Sequence, residues 1–300
     1  MARPRPSTLP ANWTELPDEA LLDVRLSDLP LSLDGTVMQT RIAQLRAELA
    51  ARGLAFPIHF YLSSEWFTPD GHASMAVPFY LAHPRLEKLE QAQMLAVEGG
   101  EHEWCMRILR HEAGHVVDNA YKLRLRRQRR ELFGPSSQTY PEFYTPKPYS
   151  KSFVLHLDPW YAQSHPDEDF AETFAVWLTP QGNWEQRYAG WPALKKLEYM
   201  DALMQSVAGK PPPRLGGGDR AAAEAAEDAP AALPAEAPPS RRGPPVVLRP
   251  RPAAPVLRRA GARRSTNGGA VHAAPPPQRP PDGGGVDGHL PARSIACSRT

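Results

Sequence analysis

Apolar residues recur at helical spacing in two long stretches of this chain. The first runs from Thr36 to Arg52 and is followed by Gly53, a residue that commonly stops a helix. The second runs from Glu101 to about Arg126 and contains no proline. Its apolar stripe consists of Cys105, Leu109, Ala113, Val116, Ala120 and Leu123. This spacing predicts two amphipathic helices.

Two short apolar runs predict strands, from Pro57 to Leu62 and from Met75 to Leu81. Because Pro78 has no N–H for a sheet ladder, we expect the second strand at an edge. Such an edge could pair with an extended substrate, or it could simply close the sheet. With further helices predicted from Pro84 to Glu98 and from Pro166 onward, the pattern indicates an α+β domain.

The composition changes near the end of the second hundred residues. All 25 aromatic residues lie at or before Tyr199, whereas residues 210–300 hold 18 of the 35 prolines. Such a segment buries too little apolar surface to offset the entropy of ordering it. We therefore expect a flexible N-terminus at 1–17, one domain at 18–208, and a disordered tail at 209–300 that is rich in Pro, Ala, Gly and Arg.

Charge divides at the same place. Residues 210–300 contain 14 Lys and Arg against 7 Asp and Glu, and the preceding residues contain 21 against 26. The basic run from Lys122 to Arg130 holds no aromatic residue to stack on bases, so a solvated helix end is favoured and no specific nucleic-acid partner is expected. With no apolar leader, no membrane-spanning stretch and two distant cysteines, a cytoplasmic protein is expected.

The second predicted helix carries an H-E-x-x-H motif, His111-Glu112-Ala113-Gly114-His115. Histidines four residues apart share one helix face, so both imidazoles can bind a single ion. Glu112 then lies beside the ion, where it can take a proton from metal-bound water. The alternative is a pair of buried histidines that hydrogen-bond to backbone.

Catalytic zinc usually takes three protein ligands, so a third is expected from another segment. The best candidate is the stretch from Tyr161 to Ala175, where Pro166 suits the first turn of a helix. Glu168 could bind the metal, while Glu172, one turn later, could hold a ligating histidine. Acids in a first turn also suit the helix dipole. Spacing alone therefore leaves competing ligands open, namely His156, His165, Asp169 and Glu172.

These motifs resemble those of a bacterial family described as putative zinc-binding metallopeptidases. The resemblance rests on Arg-His-Glu-Ala-Gly-His at 110–115 and on Tyr-x-Gln-Ser-His-Pro-x-Glu-Asp-Phe-Ala-Glu-Thr-Phe-Ala at 161–175. More distantly, the chain is similar to gluzincins such as the anthrax lethal factor catalytic domain. The resemblance runs from about Leu16 to Met204. It implies a zincin-like metallopeptidase domain with a small sheet packed on the HExxH helix.

The resemblance also assigns roles to three residues. It implies that Glu168 is the third zinc ligand and that Glu172 supports the site from outside the ligand set. It further implies that Tyr161, seven residues before the ligand, points at the reaction centre. Tyr161 would then donate a hydrogen bond to the developing oxyanion. The alternative for this tyrosine is an ordinary packed loop residue.

The sequence thus predicts a zinc-dependent metallopeptidase that acts on a peptide or protein substrate. Zn²⁺ is expected on His111, His115 and Glu168, with Glu112 as the general base. The alternative is a catalytically inactive, zinc-stabilised module that binds a protein or peptide, although retention of Glu112 and Tyr161 argues against it. The sequence gives no indication of cleavage specificity, regulation, oligomeric state or the role of the tail.

Overall fold

The computed structural model describes residues 9–94, 96–141, 144–157 and 160–213. Predictions for residues 1–8 and for the tail from residue 214 onward lie outside these residues. The helices are α1 (Asp18–Leu22), α2 (Val37–Ala51), α3 (Pro84–Met94), α4 (His102–Tyr121), α5 (Arg127–Phe133), α6 (Pro166–Leu178), α7 (Trp184–Arg187) and α8 (Leu194–Val207), and the strands are β1 (His59–Ser63) and β2 (Ser74–Pro78). The architecture is α+β, as predicted. None of the helices in the described part of the chain is long and apolar enough to cross a membrane.

The described N-terminal residues pack on the domain. Trp13 begins a short 3-10 turn, Trp13–Glu15, and its side chain is buried in the core. Its ring lies 4.9 Å from the ring of His83, centroid to centroid. Trp13 therefore makes core contacts, although it lies in the segment predicted to be flexible, residues 1–17.

Helix α2 forms where the apolar spacing predicts it. Thr36 caps its N-terminus by accepting a hydrogen bond from the Gln39 N–H, and Gly53 ends it at a φ of +73°. Val37, the first residue of α2, is 63% exposed. The buried positions are Met38, Ile42, Leu45 and Leu49.

The two strands form a parallel pair, in register from His59 with Ser74 to Ser63 with Pro78. Because parallel strands require the chain to travel back along the sheet, the connection between them returns to the start of β2, and it meets the outer side of that strand at Phe67. There the Ala76 N–H donates to the Phe67 carbonyl at 2.8 Å. The edge that could have paired with a substrate is therefore occupied at Ala76 by the protein's own backbone.

Helix α4 carries the H-E-x-x-H motif through the middle of the domain. All six residues of its predicted apolar stripe are fully buried, and the histidine side of the helix is buried as well. Strand β2 contacts this helix. The helix ends at Tyr121, where Lys122 takes a left-handed conformation with a φ of 53°. It is thus shorter than the prediction, which extended it to about Arg126.

Helix α6 begins at Pro166, as predicted, and packs closely on α4. Its apolar stripe faces the core and consists of Phe170, Phe174, Trp177 and Leu178. The opposite face meets α4 at Gly114, where an added Cβ would lie 2.8 Å from the Ala171 Cα. The absence of a side chain at Gly114 therefore allows the two backbones to approach each other.

The basic run after α4 was predicted to be a solvated helix end, and this is wrong for Arg129. The run forms a 3-10 turn and then α5, and the Arg129 side chain has no exposed surface. Its guanidinium hydrogen-bonds Asp118 of α4 at 3.3 Å and also Asp167 of α6. An ion pair of this kind offsets the cost of burying the charge. Arg129 thus ties α4 to α6.

Candidate metal centre

Helix α4 brings the two motif histidines together on one face. His111 and His115 are 3% and 5% exposed, and their Nε2 atoms are 3.2 Å apart. This arrangement follows from their spacing of four residues, which places one ring above the other. The two imidazoles therefore present their Nε2 atoms to the same point.

Helix α6 adds Glu168 to this pair from a segment more than 50 residues away. Its Oε2 lies 3.0 Å from His111 Nε2 and 3.2 Å from His115 Nε2. In tetrahedral zinc sites the ligand atoms lie about 2.0–2.1 Å from the metal, and hence roughly 3.3 Å from one another. The three donor atoms fit that requirement. Among the described residues, this is the one group of His, Cys, Asp and Glu close enough to hold a metal ion.

The charge on Glu168 suits a metal ligand. Burial alone would raise the pKa of this carboxyl, but the neighbouring His115 and His111 hold the pKa well below its usual range. An ionised carboxylate and two imidazoles form a donor set that zinc prefers.

Glu172 lies behind the first histidine. His111 Nδ1 donates to Glu172 Oε1 at 2.8 Å, and the Leu157 N–H donates to Glu172 Oε2 at 2.7 Å. A proton on Nδ1 leaves the Nε2 lone pair free and turned towards His115 and Glu168. The carboxylate thus sets both the tautomer and the ring orientation of His111.

The other ligand candidates are engaged elsewhere. His156 Nε2 donates to a backbone carbonyl of α4 at 2.9 Å, and burial lowers the pKa of this histidine to about 4. His165 caps α6, accepting a backbone N–H through Nδ1 and donating to a backbone carbonyl through Nε2. Asp169 pairs with Lys196 at 2.6 Å. None of these three side chains joins the donor group.

Residues 51–197 match the family model described as "Putative zinc-binding metallo-peptidase". This part of the chain belongs to the family. The matched stretch contains every predicted site residue, from His111 to Glu172. No curated protein and no solved structure matches the chain, so the similarity to lethal factor stays a prediction.

Glu112 of the H-E-x-x-H motif has a neighbour that the sequence does not reveal. Thr68 Oγ1 donates to Glu112 Oε2 at 2.8 Å and lies 3.3 Å from the Glu112 carbonyl oxygen. Thr68 belongs to the connection between β1 and β2, and no sequence pattern marks it. The charge of Glu112 also affects two further acids. Burial and then this charge raise the pKa of Glu65, and the same two causes raise the pKa of Glu98 to about 7.

Tyr161 lies in the 3-10 turn directly before α6, with its ring centroid 5.6 Å from that of His111. Burial, and then the negative charge of Glu168, raise the pKa of Tyr161 well above its usual value. The hydroxyl therefore keeps its proton at neutral pH and can act as a hydrogen-bond donor.

A second tyrosine, which no motif in the sequence marks, contacts the centre directly. Tyr140 Oη donates to Glu168 Oε1 at 2.8 Å. The segment after α5 contains three tyrosines between residues 134 and 149, but its sequence has no period that would orient a side chain. Tyr144 of the same segment also interacts with the acids of the centre. Burial and then the charges of Glu172 and Glu168 raise the pKa of Tyr144 to about 12.

Proposed function

We propose that this chain is a zinc-dependent peptidase whose metal ligands are His111, His115 and Glu168. The observation that carries the proposal is the convergence of their three donor atoms, 3.0–3.2 Å from one another. The motif glutamate, Glu112, follows His111 in a chain of the zinc-binding metallo-peptidase family. Two imidazoles and one carboxylate suit a catalytic zinc site, which keeps a fourth position open.

Glu112 acts as the general base in this proposal. When bound, Zn²⁺ would lower the pKa of a water molecule and polarise the carbonyl of the scissile bond. Glu112 accepts the proton that the water loses as its oxygen attacks the carbonyl carbon. The C–N bond then breaks, and the same proton passes from Glu112 to the leaving amine. The carboxylate is thereby restored for the next turnover.

Two further residues support this chemistry. Tyr161, which is protonated at neutral pH, donates a hydrogen bond to the developing oxyanion. A donor of this type contributes about 10²–10³ in rate. Glu172 keeps His111 in the tautomer that binds a metal through Nε2. The substrate of a peptidase with this site is a peptide or a protein.

The test is a comparison of zinc content and peptide hydrolysis in the full-length chain, purified without added metal. We expect about one zinc per wild-type chain, and loss of most of it in Glu168→Ala because a three-ligand site loses its anionic donor. Glu112→Gln should retain zinc but lose about 10²–10⁴ in the hydrolysis rate of a fluorogenic peptide library. Glu185→Ala, on the exposed side of α7, is the matched control and should change neither quantity.

Each assignment has an outcome that contradicts it. Folded wild-type protein without zinc would contradict the metal site. Zinc in the wild type with no hydrolysis of any peptide would favour the inactive, peptide-binding module. Full activity in zinc-loaded Glu112→Gln would remove Glu112 as the base, and zinc retained in Glu168→Ala would move the third ligand to another side chain.

A further inference from the structure

The carboxylate of Glu168 uses its two oxygens differently. Oε2 faces both imidazoles, at 3.0 Å from His111 Nε2 and 3.2 Å from His115 Nε2. Oε1 instead accepts a hydrogen bond from Tyr140 Oη at 2.8 Å. A hydrogen bond to an ionised carboxylate is stronger than one between neutral groups. The Tyr140 hydroxyl therefore holds Oε1 on the side away from the histidines.

Tyr140 is itself attached to the helix that carries Glu168. Its ring stacks on the ring of His165, with centroids 3.6 Å apart and planes 11° from parallel. His165 is the N-cap of α6: its Nδ1 accepts the Asp167 N–H, and its Nε2 donates to the Gln138 carbonyl at 2.8 Å. The N-cap of α6 thus sets the position of the Tyr140 ring. This N-cap, His165, is three residues before Glu168.

We propose that Tyr140 is a positioning residue that makes Glu168 a ligand through one oxygen. This inference rests on the proposed zinc-dependent function. A carboxylate can bind a metal through one or both oxygens, and the second mode would fill the position that a catalytic zinc site keeps for water. With Oε1 held by Tyr140, Glu168 presents Oε2 alone to the metal. Outer contacts of this type tune the ligands of a metal site.

This role separates Tyr140 from Tyr161. The Tyr161 ring lies beside His111, at 5.6 Å between centroids, and its hydroxyl is the proposed donor to the substrate oxyanion. The Tyr140 hydroxyl is directed at a ligand oxygen. The two tyrosines therefore act at different steps: Tyr140 in metal binding, Tyr161 in turnover.

The test is Tyr140→Phe in the full chain, because phenylalanine removes the hydroxyl and keeps a ring to stack on His165. Zinc affinity is measured by competition with a chromogenic chelator, and coordination by the visible absorption of the Co²⁺-loaded protein. We expect zinc affinity to fall by about 10–100-fold, as for other outer contacts of metal ligands. The cobalt absorption should lose intensity, because five-coordinate Co²⁺ absorbs more weakly than four-coordinate Co²⁺.

The control is Tyr149→Phe, a residue of the same segment that is 87% exposed; its zinc affinity and cobalt spectrum should match the wild type. Circular dichroism of the metal-free proteins checks that all three chains are folded. Zinc affinity and a cobalt spectrum in Tyr140→Phe that equal those of the wild type would overturn this inference and leave the proposed function intact. Failure of the folded wild type to bind zinc would overturn both.

Discussion

At the scale of single residues, the geometry of Glu112 depends on a contact from another part of the chain. Thr68 Oγ1 donates to Glu112 Oε2 and so fixes the direction in which the carboxylate points. A general base works only when it is within hydrogen-bond reach of the proton it accepts. In the proposed mechanism, Thr68 would therefore act through Glu112, as a positioning residue.

We predict that Thr68→Val lowers kcat by about 10-fold or more, because hydrogen bonds to charged groups contribute about 1.5–3 kcal/mol. KM and zinc content should stay at the wild-type values, since valine has nearly the same shape and Glu112, which accepts the Thr68 hydrogen bond, is not a proposed metal ligand. Thr68→Ser restores the hydroxyl and should recover most of the rate. If the valine variant lost zinc, or if serine failed to rescue it, Thr68 would have a purely structural role.

At the scale of elements, the site depends on how closely α4 and α6 approach. Gly114 lies between the two motif histidines, and a Cβ there would lie 2.8 Å from the Ala171 Cα and 3.2 Å from the Ala171 carbonyl oxygen. Since Ala171 is between Glu168 and Glu172, this contact sets the distance between the histidines and both acids. Glycine at position 114 is thus a geometric requirement of the proposed metal centre.

We predict that Gly114→Ala destabilises the domain and weakens zinc binding. Alanine would favour the helix by up to about 1 kcal/mol, but overpacking against backbone costs about 1–3 kcal/mol, so the clash decides the sign. Denaturant unfolding measures the first effect and chelator competition the second. Because the nearest atoms belong to the Ala171 backbone, Ala171→Gly should not rescue the variant. A Gly114→Ala protein as stable as the wild type would contradict the close approach.

Arg129 also holds α4 and α6 together, through ion pairs with one acid of each helix. It pairs with Asp118, three residues after His115, and with Asp167, directly before Glu168. The sequence shows a basic residue near a predicted helix end, but it does not show which acids Arg129 contacts. Both acids belong to other helices. The prediction that Arg129 is solvated was therefore wrong because contacts between distant segments bury its side chain.

At the scale of the whole molecule, zinc would join α4 to α6 and so stabilise the folded chain. Free metal at about 1,000 times its Kd adds about 4 kcal/mol to the free energy of unfolding. For a domain of about 200 residues this corresponds to a rise in Tm of about 8–16 °C. Differential scanning calorimetry with and without a chelator should show this shift in the wild type. Glu168→Ala should show much less of it, and an equal shift in both proteins would place the stabilising metal elsewhere.

The local features of the fold follow from the sequence alone. Apolar spacing is sufficient to predict α2, α4 and α6, because each buries one continuous stripe and begins or ends at a residue with the expected conformation, such as Gly53 or Pro166. The spacing of His111 and His115 likewise determines that their rings share a face. These are properties of one helix at a time, so they need no knowledge of the neighbours.

The sequence by itself therefore determined the α+β class, the two helices of the site and the pair of histidines. Spacing left His156, His165, Asp169 and Glu172 open beside Glu168, and only the resemblance to a family favoured one of them. The tertiary structure decided which carboxylate meets the histidines, and it added Thr68, Tyr140 and Arg129. The physical reason is that contacts between distant segments depend on packing, which has no period along the chain.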